Sequence, residues 1–116
     1  MRLHDLDTRL RSVYAADTAQ PHNGVWTPDN PAKGHCAVVA MIVQEYFGGE
    51  IMRCLVDDPE PIVHYYNKVG GRNIDLTWDQ FSDNCVKYAI QEAELYQYRF
   101  AETIIKSATL AERAGV

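Results

Sequence analysis

The chain has 116 residues, of which 47% are hydrophobic and 23% charged, a composition typical of a single globular domain over residues 1–116. Its formal net charge is −5 and it has no Lys- or Arg-rich block interleaved with aromatic residues, which argues against nucleic-acid binding. No apolar run approaches the roughly 18 residues of a membrane span, and the N-terminal residues do not resemble a secretory signal, so we expect a cytoplasmic protein with no membrane partner.

The first third of the chain predicts one helix and one long loop. Apolar side chains recur at steps of three and four over residues 3–16, which is typical of an amphipathic helix. Residues 17–33 are rich in Pro, Asn and Gly and predict a loop. Because a loop this long is uncommon in a small domain unless it is functional or covers something, we expect Trp26 within it to pack on the domain.

The next segment predicts a central helix. Residues 36–47 are apolar almost all round, as in helices that are buried on every side. Gly48 and Gly49 predict the end of this helix, because glycine readily takes the left-handed conformation of a helix cap.

A change of period after Gly49 predicts three antiparallel strands, at residues 50–56, 62–69 and 74–77, with a hairpin turn at Gly70-Gly71. Thr77 is predicted to cap a helical turn, with Gln80 at the capping-box position. Residues 82–95 are ambiguous, with a helix over 86–95 as one interpretation. Residues 100–113 predict a final helix. The order predicts an α+β fold, in which a central helix beginning at Cys36 packs on a short antiparallel sheet of three or more strands between flanking N- and C-terminal helices.

Cys36 is the first candidate for chemistry, because it stands where the loop turns into the central helix. The unpaired N–H groups and partial positive charge of a helix N-terminus favour a thiolate over a thiol. The N–H of Cys36 is itself a candidate oxyanion donor. A second donor is expected from Asn30 or His35 in the preceding loop.

His64 and Asp75 are the candidate partners of this cysteine. A turn centred between Gly70 and Gly71 pairs residue 64 near residue 77 and places Asp75 diagonally from His64 on the same face. A carboxylate there would hold the imidazole by a hydrogen bond and fix its tautomer. The alternatives are a core histidine at position 64 and a turn or helix-cap aspartate at position 75.

The order of the cysteine, histidine and aspartate resembles the core of the papain-like and transglutaminase-like superfamily. Four further motifs together resemble the YunG-like family of bacterial and phage proteins: Trp26-x-Pro28-x-Asn30-Pro31-x-x-Gly34-His35-Cys36-Ala37-Val38, Gln44-x-Tyr46-Phe47-Gly48-Gly49-Glu50-Ile51, His64-Tyr65-x-Asn67 and Ile74-Asp75-Leu76-Thr77-x-x-Gln80-Phe81. The resemblance covers residues 25–82, with a weaker match over 99–113. It implies a recurring site rather than a named activity. The residue before the cysteine resembles Gln in that family, whereas here it is His35.

We interpret these residues as a thiol hydrolase or acyl transferase of the peptidase, amidase or deamidase type, acting without a cofactor on a peptide, amide or protein substrate. Cys36, His64 and Asp75 are the catalytic candidates; His35, Asn30 and Trp26 are the oxyanion or substrate-binding candidates. One alternative is a non-catalytic protein-binding module with a papain-like core. Another is a structural protein or homodimer with Cys36 in its core.

A zinc site is a further alternative that the cysteine and histidine residues raise. Its ligands would come from Cys36, Cys54, Cys85, His35 and His64. These residues show none of the CxxC or HxxxH spacings of zinc sites, so we expect no metal.

Overall fold

The structure, a computed structural model, describes residues 1–21, 24–83, 85–87, 94–95 and 101–116, with only the main chain at 86–87 and 94–95. In these described ranges, three α-helices and five strands follow one another in the order α1 (Leu3–Arg11), α2 (Cys36–Phe47), β1 (Glu50–Asp57), β2 (Pro61–Val69), β3 (Arg72–Ile74), β4 (Val86–Lys87), β5 (Glu94–Leu95) and α3 (Ala101–Ala114). Within the described part of the chain, no helix has the length and apolar character needed to cross a membrane.

The sheet is built around β1. This strand pairs antiparallel with β2 along its whole length, from Glu50↔Lys68 to Asp57↔Pro61. On its other edge it pairs with the short strands β4 and β5, and β3 lies on the far side of β2. The arrangement confirms the predicted α+β fold with an antiparallel sheet.

The central helix α2 is buried on two sides, as its apolar sequence predicts. One side, which includes Val38 and Ile42, packs against Leu6 and Leu10 of α1 and Leu110 of α3. The other side presents small residues to the sheet, and its cluster consists of Cys36, Ala37, Ala40, Ile51 and Tyr65. The small side chains allow α2 to lie close to the sheet.

A buried hydrogen bond ties α2 to β2. Nδ2 of Asn67 donates to the carbonyl oxygen of Ala40 at 2.9 Å. The bond fixes the height of α2 above the strand that carries His64.

The predicted first helix is correct in its start and wrong in its end. It stops at Arg11, and the main-chain N–H of Ser12 bonds to the carbonyl oxygens of Leu10 and Thr8. Thr18 then closes a separate turn on Ala15 through its hydroxyl. Tyr14 is buried nonetheless, so its spacing correctly predicted burial while the chain around it forms turns instead of a helix.

The third strand lies earlier than predicted. It spans Arg72–Ile74 instead of 74–77, because a 3₁₀ turn at Trp78–Gln80 takes the chain away from the sheet. The predicted capping box is also wrong, since Thr77 makes no side-chain cap. The bond runs the other way, with Nε2 of Gln80 donating to the carbonyl oxygen and hydroxyl of Thr77.

The helical interpretation of residues 86–95 is wrong for the residues that the structure describes there. Val86–Lys87 and Glu94–Leu95 are strands that pair with β1, and the others lie outside the described residues. The final helix is confirmed from Ala101 onward. Phe100, at its predicted start, also lies outside the described residues.

Candidate functional site

The loop before α2 places Cys36 at the first position of the helix. Gly34 has a φ of +78°, and a Cβ there would stand 2.7 Å from the carbonyl oxygen of Gln20. The Gln20 N–H bonds to the Gly34 carbonyl oxygen at 2.8 Å. Only glycine fits this close crossing of two backbone segments. The side chain of Cys36 is 1% exposed.

His64 and Asp75 make the contact that the hairpin register predicts. The pairing of Asn67 with Ile74 ends β3, and Asp75 is the next residue. Its Oδ2 lies 2.6 Å from Nε2 of His64. The distance is that of a short, charge-assisted hydrogen bond, and it joins a fully buried ring to a carboxylate that is largely buried.

The environment of His64 favours the charged imidazolium. Burial lowers the pKa of His64, but the hydrogen bond to Asp75 and the interaction with the Cys36 side chain outweigh burial and raise it to about 9. The ring is therefore protonated at neutral pH.

The two nitrogens of the His64 ring have different surroundings. Asp75 occupies Nε2, while Nδ1 is buried and makes no completed hydrogen bond. The Cys36 side chain also interacts with this imidazole and raises its pKa. The Phe81 ring meets the imidazole edge-on, with centroids 4.9 Å apart, and Trp78 lies at 6.0 Å. Two aromatic rings therefore pack around the imidazole of His64.

His35 lies next to Cys36 in the chain, but its ring contacts residues of the segment between α1 and α2. Nδ1 donates to the carbonyl oxygen of Lys33 at 3.1 Å, and Nε2 lies 2.8 Å from the hydroxyl of Thr18. The ring also packs against Tyr14, with centroids 4.4 Å apart. Burial lowers the pKa of His35 to about 4, so the ring is neutral. Both nitrogens are occupied, which does not support the predicted oxyanion role of this ring.

Asn30 and Trp26 organise the loop before α2. Nδ2 of Asn30 donates to the carbonyl oxygen of Gln80 at 2.8 Å, which ties the loop to the 3₁₀ turn. Nε1 of Trp26 donates to the carbonyl oxygen of Pro31 at 2.9 Å. Trp26 lines a pocket of about 330 Å³, and Cys36 is not among the described residues that line it. The structure therefore groups Cys36 with His64 and Asp75, but not with Trp26.

Arg11 is the residue near the site that the sequence did not single out. Its guanidinium bonds to both oxygens of Asp79, at 2.7 and 2.9 Å, and to the carbonyl oxygen of Leu76 at 2.6 Å. Its Nε donates to Asp7 at 2.9 Å. The spacing of Asp7 and Arg11 along one helix was a visible signal. The contact with Asp79, 68 residues away, has no counterpart in the local sequence.

A pocket of about 590 Å³ opens beside this guanidinium. It is lined by Arg11, Asp75, Trp78, Asp79, Phe81, Ser82, Asp83 and Cys85. Cys36, Cys54 and Cys85, all within the described residues, form no disulfide bond. Across the described ranges, no group of three or more His, Cys, Asp or Glu side chains is arranged to hold a metal ion.

Comparison with known proteins places the chain in a family. Over 56 residues it is 39% identical to a protein named "Uncharacterized protein YunG" from Bacillus subtilis (strain 168). The match covers 48% of this chain and 46% of that protein, so it spans a little under half of the relative's length. No solved structure matches the chain significantly. The family model described as "YunG protein" matches residues 2–114, almost the whole chain, and the chain therefore belongs to the YunG protein family.

Proposed function

We propose that this protein is a thiol hydrolase or acyl transferase that uses Cys36, His64 and Asp75 on a peptide, amide or protein substrate. The observation that carries the proposal is the 2.6 Å contact between His64 Nε2 and Asp75 Oδ2, which leaves Nδ1 for Cys36. A nucleophile, a base and a group that orients the base are the parts that covalent acyl transfer requires. The order of these residues along the chain supports a papain-like core.

In the proposed reaction the Cys36 sulfur attacks the carbonyl carbon of the substrate as the thiolate, the thiol proton having passed to His64. The tetrahedral intermediate collapses as the imidazolium of His64 gives its proton to the leaving group, and a thioester remains on Cys36. Neutral His64 then removes a proton from water, or from an acceptor amine or alcohol, which attacks the thioester. Release of the acid or of the new acyl product restores the Cys36 thiolate beside the protonated His64. Asp75 keeps the ring oriented through both halves.

The start of α2 is the proposed site for the oxyanion. The first N–H groups of a helix have no partner within the helix, and here Cys36 supplies one of them. Asn30 gives one amide proton to Gln80, and its second proton is the proposed second donor. Trp26 remains a proposed wall of the substrate path. His35 is left out because both its ring nitrogens are bonded.

Burial sets a condition on this chemistry. Cys36 is 1% exposed and His64 is not exposed at all. A substrate therefore reaches the sulfur only after a covering group moves.

The same burial favours a second candidate function, a non-catalytic protein-binding module that retains the Cys-His-Asp arrangement as a structural core. In such a module the charged pair would stabilise the fold, and partners would bind elsewhere. Cys36→Ala separates the two proposals, because it abolishes acyl transfer and leaves the binding of a partner unchanged.

The thiol of Cys54 offers a matched control for the activation of Cys36. Both thiols are buried, and Cys54 is the direct cross-strand neighbour of His64, but it lies within a strand rather than at a helix start. In a Cys85→Ser background, we expect iodoacetamide to alkylate Cys36 faster than Cys54 at neutral pH, as followed by mass spectrometry of the digested protein.

Two variants and one substrate complete this test. Asp75→Asn is expected to slow alkylation of Cys36, and p-nitrophenyl acetate is expected to leave one acetyl group on Cys36. Equal alkylation of Cys36 and Cys54, together with no acetylation of Cys36, contradicts the proposed enzyme and favours the binding module.

A further inference from the structure

We infer that Arg11 is a positioning residue, which holds the segment carrying Asp75 so that the carboxylate meets His64. This role in catalysis rests on the proposed function. The placement of Asp75 by Arg11 does not depend on it and can be tested without any activity.

The hydrogen bonds of Arg11 join helix α1 to the segment that follows Asp75. Nη2 donates to the carbonyl oxygen of Leu76, the residue directly after Asp75, at 2.6 Å. The same nitrogen and Nη1 hold the two carboxylate oxygens of Asp79. Nε is held by Asp7 of α1, so the guanidinium is anchored to its own helix. Four of its five N–H donors are therefore in use, which leaves little capacity to bind a substrate.

The segment that follows Asp75 has no regular structure of its own to keep it in place. β3 ends at Ile74, and beyond it the chain makes only the short turn at Trp78–Gln80. Two other contacts fasten its later part, from Asn30 to the carbonyl oxygen of Gln80 and from Asp58 to Ser82. Among the hydrogen bonds of the described side chains, the one from Arg11 reaches the residue next to Asp75, and the Leu76 side chain itself packs against the cluster that contains Leu6 and Leu10.

The direction of the change in the pKa of His64 distinguishes a positioning role of Arg11 from a direct effect of its positive charge. The titratable side chains facing the His64 ring from the described elements are Asp75 after β3, Cys36 of α2, Cys54 of β1 and Tyr66 of β2. Arg11 is a cation, so removing its charge alone would raise the pKa of a nearby imidazolium. Loss of the Asp75 hydrogen bond would lower the pKa of His64. The two causes have opposite signs.

The experiment follows the imidazole of His64 by NMR titration in the full chain. We expect Arg11→Gln to lower the pKa of His64, because Asp75 is no longer held within hydrogen-bonding distance. Arg11→Lys is expected to behave similarly, since an ammonium cannot hold Asp79 in a bidentate pair and reach Leu76 as well.

Arg113→Gln is the matched control, because Arg113 makes a similar bidentate pair with Asp17, at 2.7 and 2.6 Å, on α3. It is expected to leave the pKa of His64 unchanged. An unchanged or raised pKa of His64 in folded Arg11→Gln, or in Arg11→Lys if Arg11→Gln does not fold, overturns the inference. Failure of Cys36 to react selectively would instead count against the proposed function, and the NMR result would still decide the role of Arg11.

Discussion

The charged state of His64 predicts an unusual loss of stability at alkaline pH. The pKa of this ring is 6.5 in an unfolded chain and about 9 in the folded protein, where Asp75 and Cys36 offset the effect of burial. Because the folded state binds the proton more tightly, the stabilisation is fully present below about pH 6.5 and is lost as the pH rises through about 9. The difference between the two pKa values corresponds to about 3 kcal/mol.

Asp75→Asn is the perturbation that isolates this contribution. The amide preserves the shape of the side chain but removes the charge, so burial then dominates and the imidazole is expected to be neutral at neutral pH. The free energy of unfolding, measured by urea denaturation at about pH 6 and about pH 9, should fall by about 3 kcal/mol more in the wild type than in the variant.

The comparison between the two proteins cancels groups that titrate in both, such as the other thiols and the lysines. Cys36→Ala serves as the control, because it keeps the Asp75 contact and should retain much of the alkaline loss. If the stabilities of the wild type and Asp75→Asn fall in parallel over this range, Asp75 does not hold a proton on His64 and the electrostatic account is wrong.

Three further predictions concern the framework around the site. Below about pH 6.5 the wild type should lose stability as the pH falls, because His35 has a pKa of about 4 in the folded protein and binds a proton more readily when the chain unfolds. Denaturant titrations of His35→Gln should show a weaker dependence of the free energy of unfolding on pH in this range, and an equal dependence would contradict the assignment. Gly34→Ala should lower the melting temperature more than Gly71→Ala, because both have positive φ but only the first Cβ would collide with backbone; equal losses would show that the crossing is not tight. Asn67→Ala should cost about 1 kcal/mol or more in urea denaturation through the lost bond to α2, and a neutral result would mean that the bond contributes nothing to stability.

The central helix and the hairpin could be predicted because local sequence determines them. Residues 36–47 have one continuous apolar character between two glycine-containing segments, and the helix begins and ends where that character does. The Gly70-Gly71 turn sets the register of β2 and β3, and the register in turn brings Asp75 to His64. A site that depends on one short turn can be inferred without knowledge of the whole fold.

The misplaced elements are those whose ends depend on distant contacts. The apolar spacing of residues 3–16 reflects burial of Tyr14, yet the chain leaves the helix at Ser12. The third strand ends at Ile74 because the following segment is drawn toward Arg11 and Asn30, which are far away in sequence. Neither partner is visible in the local pattern of apolar residues, so that pattern alone predicts a strand that continues past Ile74.

Two buried histidines show why partners matter more than burial for the chemistry of this protein. His35 and His64 are both inaccessible to solvent, and burial lowers the pKa of each. His35 meets a carbonyl oxygen and a hydroxyl, which satisfy a neutral ring, and it stays neutral. His64 meets a carboxylate, which favours the imidazolium strongly enough to reverse the effect of burial. His35 lies beside Cys36 in the chain and His64 lies 28 positions after Cys36. Of the two, only His64 has a carboxylate partner, which a proton-transfer role requires.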